Sequence, residues 1–276
     1  MATKVKKVVL LDRLLSEGFF TSKEEAVPYL MGGQVYVGSQ QQTSAAAKVD
    51  PLLPLTVRGL DMPYISKGGL KLEGAIRDFG IQVQDRVCID AGACTGGFTD
   101  CFIKHGAARV YAVEVGFGQL AGSLRQNPRV VTLEKTNISD EKLLRLDPVP
   151  DLASVDLSYL SLRKGIPAFA EVMHHRGELL CLVKPLFETE DMEARRTGVL
   201  PPEKYLPTLL ELVRDVNALP GTQAKQVTYS PVTGNNGTHE FFLHVVLGSD
   251  VPAPDLTAAC KKAVANVLAL APYHKK

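Results

Sequence analysis

Asp90-Ala91-Gly92-Ala93-Cys94-Thr95-Gly96-Gly97-Phe98 sets the fold of this chain. The apolar run Val87-Cys88-Ile89-Asp90 enters it, and a segment of helical length, Phe98 to Lys104, leaves it. A strand, a glycine-bearing turn and a helix in that order mark the place where a doubly wound sheet binds nucleotide-like ligands. The glycines let the backbone approach a ligand closely. Their spacing matches neither the G-x-G-x-x-G of dinucleotide sites nor the phosphate loop that ends in Gly-Lys-Ser/Thr.

Four further apolar runs follow at the spacing of strands separated by helices: Arg109 to Val115, Val130 to Leu133, Leu152 to Leu157 and Leu179 to Val183. Leu160 to His174 is one of the intervening helical segments. Near-continuous apolar strands with crossover helices predict a parallel sheet covered on both faces. Ala224 to Tyr229 and Glu240 to Leu247 leave no room for a crossover helix, so they are expected to pair antiparallel at one edge. The expected fold class is therefore α/β with a seven-stranded mixed sheet, in the order of elements of a Rossmann-like methyltransferase. The tail from Asp255 to Leu270 reads as a surface helix without chemistry.

An acidic residue just before the glycines suits a ligand carrying an ammonium group, which Asp90 would meet, and S-adenosylmethionine is such a ligand. A glycine cluster alone is more plainly a tight turn with no ligand, but Glu114 ends the second strand where an acidic residue accepts ribose hydroxyls on this architecture. The cofactor set is Asp90, Gly92, Thr95, Gly96, Gly97, Phe98, Glu114, Asn137 and Asp156. Asp156 follows one strand and Lys184 another, so both are expected at the carboxyl edge beside the glycine loop. Lys71 stands at the head of this domain and Glu240 opens the last strand. Singly, each reads as solvated surface charge. Together they suit methyl transfer to a ribose hydroxyl, which needs in-line approach to a sulfonium methyl and a base for a weakly acidic alcohol. Either lysine fits as that base, and the group would titrate as a coupled set.

The front of the chain is different. Leu10, Leu11, Leu14 and Leu15 have helical spacing and stop at Gly18, and Ser22-Lys23-Glu24-Glu25 is a capping box opening a second helix that contains Pro28. Gln34 to Val37 reads as a strand turned by Gly38-Ser39, and Leu52 to Val57 as a second strand after a polar loop. This small α+β module carries nine Lys+Arg against six Asp+Glu over residues 1–72, in a chain of 276 residues whose net charge is only +1. Any nucleic-acid footprint is thus local, with Arg13, Lys23, Lys48 and Lys67 as candidates for RNA phosphates. Phosphate contacts give affinity without sequence choice.

Five widely spread cysteines do not form a disulfide framework, and no apolar stretch has the length of a membrane span or of an export signal, so a cytoplasmic protein is expected. His174-His175, adjacent on a helix, cannot face one metal, and no metal is expected. Cys94 reads as a small residue in a tight turn.

Six motifs then occur in order: Ser66-Lys67-Gly68-Gly69-Leu70-Lys71-Leu72, the Asp90 to Thr99 loop, Val115-Gly116-Phe117-Gly118-Gln119-Leu120, Asp156-Leu157-Ser158-Tyr159-Leu160-Ser161-Leu162, Leu182-Val183-Lys184-Pro185-Leu186-Phe187-Glu188 and Ser230-Pro231-Val232-Thr233-Gly234. Over nearly its whole length the chain resembles the TlyA family, whose members are called hemolysins and are ribosomal RNA 2′-O-methyltransferases. The resemblance implies an S-four RNA-binding domain at 1–60, a linker at 61–66, an FtsJ-like methyltransferase domain at 67–248 and a helical tail at 249–276. It also implies that the family's Lys-Asp-Lys-Glu set falls on Lys71, Asp156, Lys184 and Glu240, with Lys184 as base, S-adenosylmethionine as cofactor, and ribosomal RNA or ribosomal subunits, modified at cytidine, as partner. Three positions depart from the family. The linker reads Asp61-Met62-Pro63-Tyr64-Ile65 in place of an arginine and tryptophan tetrapeptide, Glu114 replaces the usual aspartate, and Gly237-Thr238-His239-Glu240 replaces a glycine-asparagine pattern. Three other readings compete: an RNA-binding protein with an inactive methyltransferase domain, a membrane-lysing hemolysin, and a methyltransferase acting on DNA or a small molecule.

Overall fold

The computed structural model describes residues 7–20, 22–60, 63–157, 160–234 and 237–270. Asp61-Met62 of the linker, Ser158-Tyr159 of the fourth motif and Asn235-Asn236 lie outside the described residues.

The front piece runs β1 (Val8–Val9), α1 (Leu10–Ser16), α2 (Lys23–Met31), β2 (Val35–Val37), β3 (Gln40–Gln42), β4 (Lys48–Val49) and β5 (Leu55–Val57). Ser22 caps α2 by accepting from Glu25 N at 3.3 Å, as the capping box requires, and Pro28 is accommodated inside the helix. Leu10, Leu14, Phe19, Phe20, Ala26, Leu30, Val35 and Val57 belong to a core of its own. Three strands, β1, β3 and β4, are not announced by the sequence pattern, and β5 is shorter than the run expected from Leu52. Gln40–Gln42 pairs with Val35–Val37 across the Gly38 turn, and Lys48–Val49 pairs with Val8–Val9. Neither polar segment carries the apolar alternation that announces a strand.

The second piece begins with α3 (Lys67–Phe79), then β6 (Val87–Ala91), α4 (Gly97–Lys104), β7 (Arg109–Glu114), α5 (Gly122–Arg125), β8 (Val130–Glu134), β9 (Leu152–Val155), α6 (Leu162–Val172) and β10 (Gly177–Val183). It ends with α7 (Pro185–Glu188), α8 (Met192–Thr197), α9 (Tyr205–Asn217), β11 (Thr222–Tyr229), β12 (Phe241–Leu247) and α10 (Thr257–Leu268). The sheet order is β11-β12-β10-β9-β6-β7-β8. Five strands are parallel, and β12 runs antiparallel between β10 and β11, the seven-stranded mixed sheet the apolar runs predict.

Each face of the sheet carries its own apolar core. The tail helix is not a bystander, for Cys260, Ala263 and Val267 on α10 are buried in one of those cores. His174 and His175 also differ from expectation. They lie past the end of α6 with φ of 51° and 57°, because the chain must turn sharply there to enter β10.

Register brings the functional strand ends to one level. Ala91 pairs with Val155, Val155 with Cys181, and Val183 opposes Phe241. Asp156, Lys184 and Glu240 therefore emerge together at the carboxyl edge of the parallel strands.

Candidate active site

Lys71 arrives at this edge from α3, and its Nζ lies 2.5 Å from Oε2 of Glu240. The two side chains are 9% and 6% exposed. Burial works to lower the Lys71 pKa, but the Glu240 and Asp156 carboxylates more than offset it and hold the lysine above its ordinary value. Lys184 is ion-paired with Asp156, and its Nζ stands 3.5 Å from the Leu157 carbonyl. This second pair is more open, with side chains 20% and 28% exposed. The four residues picked out in the sequence thus form an inner buried pair and an outer accessible one.

Lys67, expected among the RNA-contacting cations, belongs to this cluster rather than to an exposed face. It is buried, its stem passes against Gly18 of the front piece, and its Nζ donates to the Gly234 carbonyl at 3.3 Å. It makes no ion pair among the described residues, and burial together with the Lys71 charge lowers its pKa to about 8 against the pull of Glu240 and Glu25. Arg13 is likewise turned inward. Its Nε donates to Glu17 at 2.5 Å and its other nitrogens to the Asp50 and Leu53 carbonyls at 2.9 and 2.8 Å, so it is buried and braces the front piece from within. Lys23 and Lys48 are exposed.

The glycine loop leaves β6 with Gly92 at φ +85° and Gly96 at φ +98°, and Cys94 adopts φ +48°. A side chain at Gly92 would overlap the Asp156 carbonyl, so glycine keeps the loop pressed against the end of β9. The first turns of α3 and α4 meet in the same way. A side chain at Gly97 would run into Ser66 Oγ and the backbone of Gly68 and Gly69.

Glu114 turns back over the loop, accepting from Cys94 N at 2.9 Å and Gly116 N at 2.8 Å. Each carboxylate oxygen retains a lone pair for a ribose hydroxyl. Exposed Val115 and Phe117 follow it. Thr136 N donates to the Glu114 carbonyl at 3.0 Å, which brings Asn137 to that strand end, where its side-chain oxygen accepts from Ser139 N at 3.1 Å.

Two of the expected cofactor contacts need correction. Asp90 is 0% exposed, and its oxygens accept from Thr99 Oγ1 at 2.6 Å and Ser154 Oγ at 2.9 Å, so it braces the base of the loop and presents no carboxylate to a ligand. Burial raises its pKa to about 6 despite those two hydrogen bonds. The Phe98 ring is buried against Phe242, centroids 6.1 Å apart, leaving only backbone to face the loop. Thr95 supplies its carbonyl to Ala121 N at 3.2 Å.

Sequence reasoning missed the hydroxyl partners of Asp90 and the place of Glu188. Glu188 is 3% exposed at the end of α7, and its only signal was a carboxylate one helical turn beyond Lys184. A cavity of about 420 Å³, lined in part by Glu17, Tyr64, Asp100, Lys104 and Ser123, lies between the two pieces and includes none of the four charged residues. No cluster with metal-ligand composition occurs among the described residues, and no helix there is long and apolar enough to cross a membrane.

A parallel sheet closed by an antiparallel pair, with a glycine loop and a carboxylate at its carboxyl edge, is the architecture expected of a methyltransferase. The chain belongs to the FtsJ-like methyltransferase family, whose model matches residues 64–246, and within it to the TlyA relatives that match along most of its length. YqxC of Bacillus subtilis is 38% identical over 85% of this chain and 84% of its own. The 16S/23S rRNA (cytidine-2′-O)-methyltransferase TlyA of Mycobacterium tuberculosis is 34% identical over 92% and 96%. A solved structure from Streptococcus thermophilus that carries the hemolysin label superposes with a TM-score of 0.80 at 33% identity, covering 96% of each chain.

Proposed function

We propose that this protein transfers a methyl group from S-adenosylmethionine to a ribose 2′-hydroxyl of ribosomal RNA, with cytidine as the nucleoside and the ribosomal subunit as the object bound, in the cytoplasm. The observation that carries this reading is the pairing of Lys184 with Asp156 and of Lys71 with Glu240 at the strand ends beside the glycine loop.

Glu114, Gly92, Thr95 to Gly97 and Asn137 would hold the cofactor, and the cradle fits it. Gly92 and Thr95 of the loop are half-buried, Glu114 has lone pairs for two hydroxyls, and exposed Phe117 and Val115 suit an aromatic base. Bound there, S-adenosylmethionine supplies an electrophilic sulfonium methyl. Lys184, on the outer and more accessible pair, takes the hydroxyl proton at Nζ, and Asp156 fixes its direction. Lys71 and Glu240 hold the inner wall, and their fixed charges orient the ribose. The front piece serves as an S-four-like RNA-binding domain, with exposed Lys23 and Lys48 meeting phosphates and Lys67 closing the boundary between that domain and the cluster.

The test is transfer of labelled methyl to purified ribosomal subunits, followed by nucleoside analysis. Label recovered as 2′-O-methylcytidine supports the reading. Cofactor binding without label on either subunit supports an RNA-binding protein that has lost its chemistry, and lysis of erythrocytes by the pure protein supports the hemolysin reading.

A further inference from the structure

The turn that follows Lys184 is a helix of only four residues, α7, too short to be stable by its own hydrogen bonds. Something must hold it, because it sets where Lys184 points. Lys184 O accepts from Phe187 N at 2.8 Å, and Lys184 Nζ lies 5.9 Å from the Phe187 ring centroid.

The hold is Glu188. Its carboxylate is turned away from the charged cluster and into the start of α6, the helix that follows Asp156. It accepts from Ser161 Oγ at 2.6 Å, from Leu162 N at 2.9 Å and from Arg163 Nη1 at 3.0 Å. Ser161 in turn caps α6 by accepting from Arg163 N at 3.2 Å, and Arg163 also donates to Asp215 on α9 at 2.7 Å. A carboxylate at a helix start, satisfied by three donors of which one is charged, makes a strong buried anchor. Asp156 is fixed separately, its N–H donating to the Ala91 carbonyl at 3.1 Å. On the Lys184 side the strand pairing ends at Val183, opposite Phe241, and Glu188 holds the turn beyond it.

We propose that Glu188 is a positioning residue that holds Lys184 against Asp156, by locking the turn after Lys184 to the helix start after Asp156. Glu188 touches neither the cofactor cradle nor the four charged residues, so it acts through Lys184. The effect on catalysis rests on the function proposed above, while the effect on the Lys184–Asp156 pair does not.

The test uses the full-length Glu188→Gln variant. An amide offers one acceptor oxygen where the carboxylate offers two, and it loses the ion pair with Arg163. Two readouts separate the claims. In the first, trace acetic anhydride labels lysines and peptide mass spectrometry compares Lys184 with Lys142, an exposed lysine on another segment. Release of Lys184 from Asp156 is expected to raise its labelling at least about threefold while Lys142 is unchanged, and an unchanged Lys184 rate overturns the proposal. In the second, kcat on ribosomal subunits is expected to fall at least about tenfold, with cofactor affinity and KM within about twofold of wild type. A parallel loss of kcat and cofactor affinity overturns the proposal in favour of a merely structural role. If wild type itself transfers no methyl, the function fails and the labelling result alone decides the role of Glu188. Should Glu188→Gln not fold, Ser161→Ala, which removes one donor, is expected to raise Lys184 labelling, with Ser161→Thr restoring it. Wild-type labelling in Ser161→Ala overturns the proposal.

Discussion

Lys71 and Glu240 meet at 2.5 Å with both side chains less than a tenth exposed, while Lys184 and Asp156 make the same kind of pair half-buried, within reach of water. Chemically alike, the two pairs differ in what they lose when broken. A buried carboxylate stripped of its ammonium is left uncompensated, whereas an accessible one is rescued by water.

Lys184→Met is therefore expected to fold, to bind S-adenosylmethionine with unchanged affinity, and to lose methyl transfer by at least about a hundredfold. Calorimetric binding beside a labelled-methyl assay checks this, and retained turnover removes Lys184 as the base.

Lys71→Met is expected to cost about 3 kcal/mol of stability as well as activity, because Glu240 remains buried without its partner. Urea unfolding of the two lysine variants side by side measures the contrast, and equal stabilities contradict the inner and outer distinction.

Glu114→Gln keeps the shape of the side chain but removes the charge from the group proposed to meet the ribose, and an NH2 group replaces one oxygen, so a donor faces the N–H of either Cys94 or Gly116. Cofactor affinity is expected to fall at least about tenfold, by loss of roughly 1.5–3 kcal/mol of charged hydrogen bonding. Isothermal titration reads it directly.

Asp90 gives a pH signature. Its folded pKa, raised to about 6 by burial, exceeds its ordinary value of 3.8, so the folded state binds the proton more tightly than the unfolded chain. The stability this contributes is fully present below about pH 4 and is lost as pH rises through about 6, on the order of 3 kcal/mol at full extent. Asp90→Asn is expected to remove that slope, so the stability difference between variant and wild type changes across the window. A difference constant with pH places the titrating group elsewhere.

Arg13→Ala is expected to destabilise the front piece by about 3 kcal/mol, leaving Glu17 buried and unpaired, and any fall in RNA affinity will track unfolding. Lys23→Ala and Lys48→Ala are expected to leave stability within about 0.5 kcal/mol of wild type and to reduce the salt dependence of RNA binding. Filter binding over a salt series, with melting curves, distinguishes the two behaviours.

The large domain was legible because each of its five parallel strands is a short apolar run that stops at a strand edge. Asp156 and Lys184 stood out for the same reason, as charges ending such runs. What was not legible is the direction a side chain takes once folded. Arg13 and Lys67 read as surface cations, yet tertiary contacts from Asp50, Leu53 and Gly234 draw them inward. Asp90 lay beside the glycines as a ligand carboxylate would, but its Ser154 partner comes from a strand 64 residues away. The strand Gln40–Gln42 lacks apolar alternation although its partner Val35–Val37 was readable, and Lys48–Val49 pairs with Val8–Val9, which no local pattern marks as a strand. The buried stripe of α10 is built from small residues, Cys260 and Ala263 with Val267, which do not announce a core face.

The bare contact of Gly97 with Gly68 and Gly69 bears on how this enzyme can change over evolutionary time. Where two helices meet through side chains, a pair of compensating substitutions can slide one against the other by fractions of an ångström. Here Gly97 lies against Ser66 Oγ and the backbone of Gly68 and Gly69 with no room for a side chain, and one helix carries Lys71 while the other begins at the glycine loop. Their spacing has no adjustable part, so drift toward a new acceptor is channelled into the loops and the front piece, and the interval between donor and inner lysine is inherited as a fixed gauge.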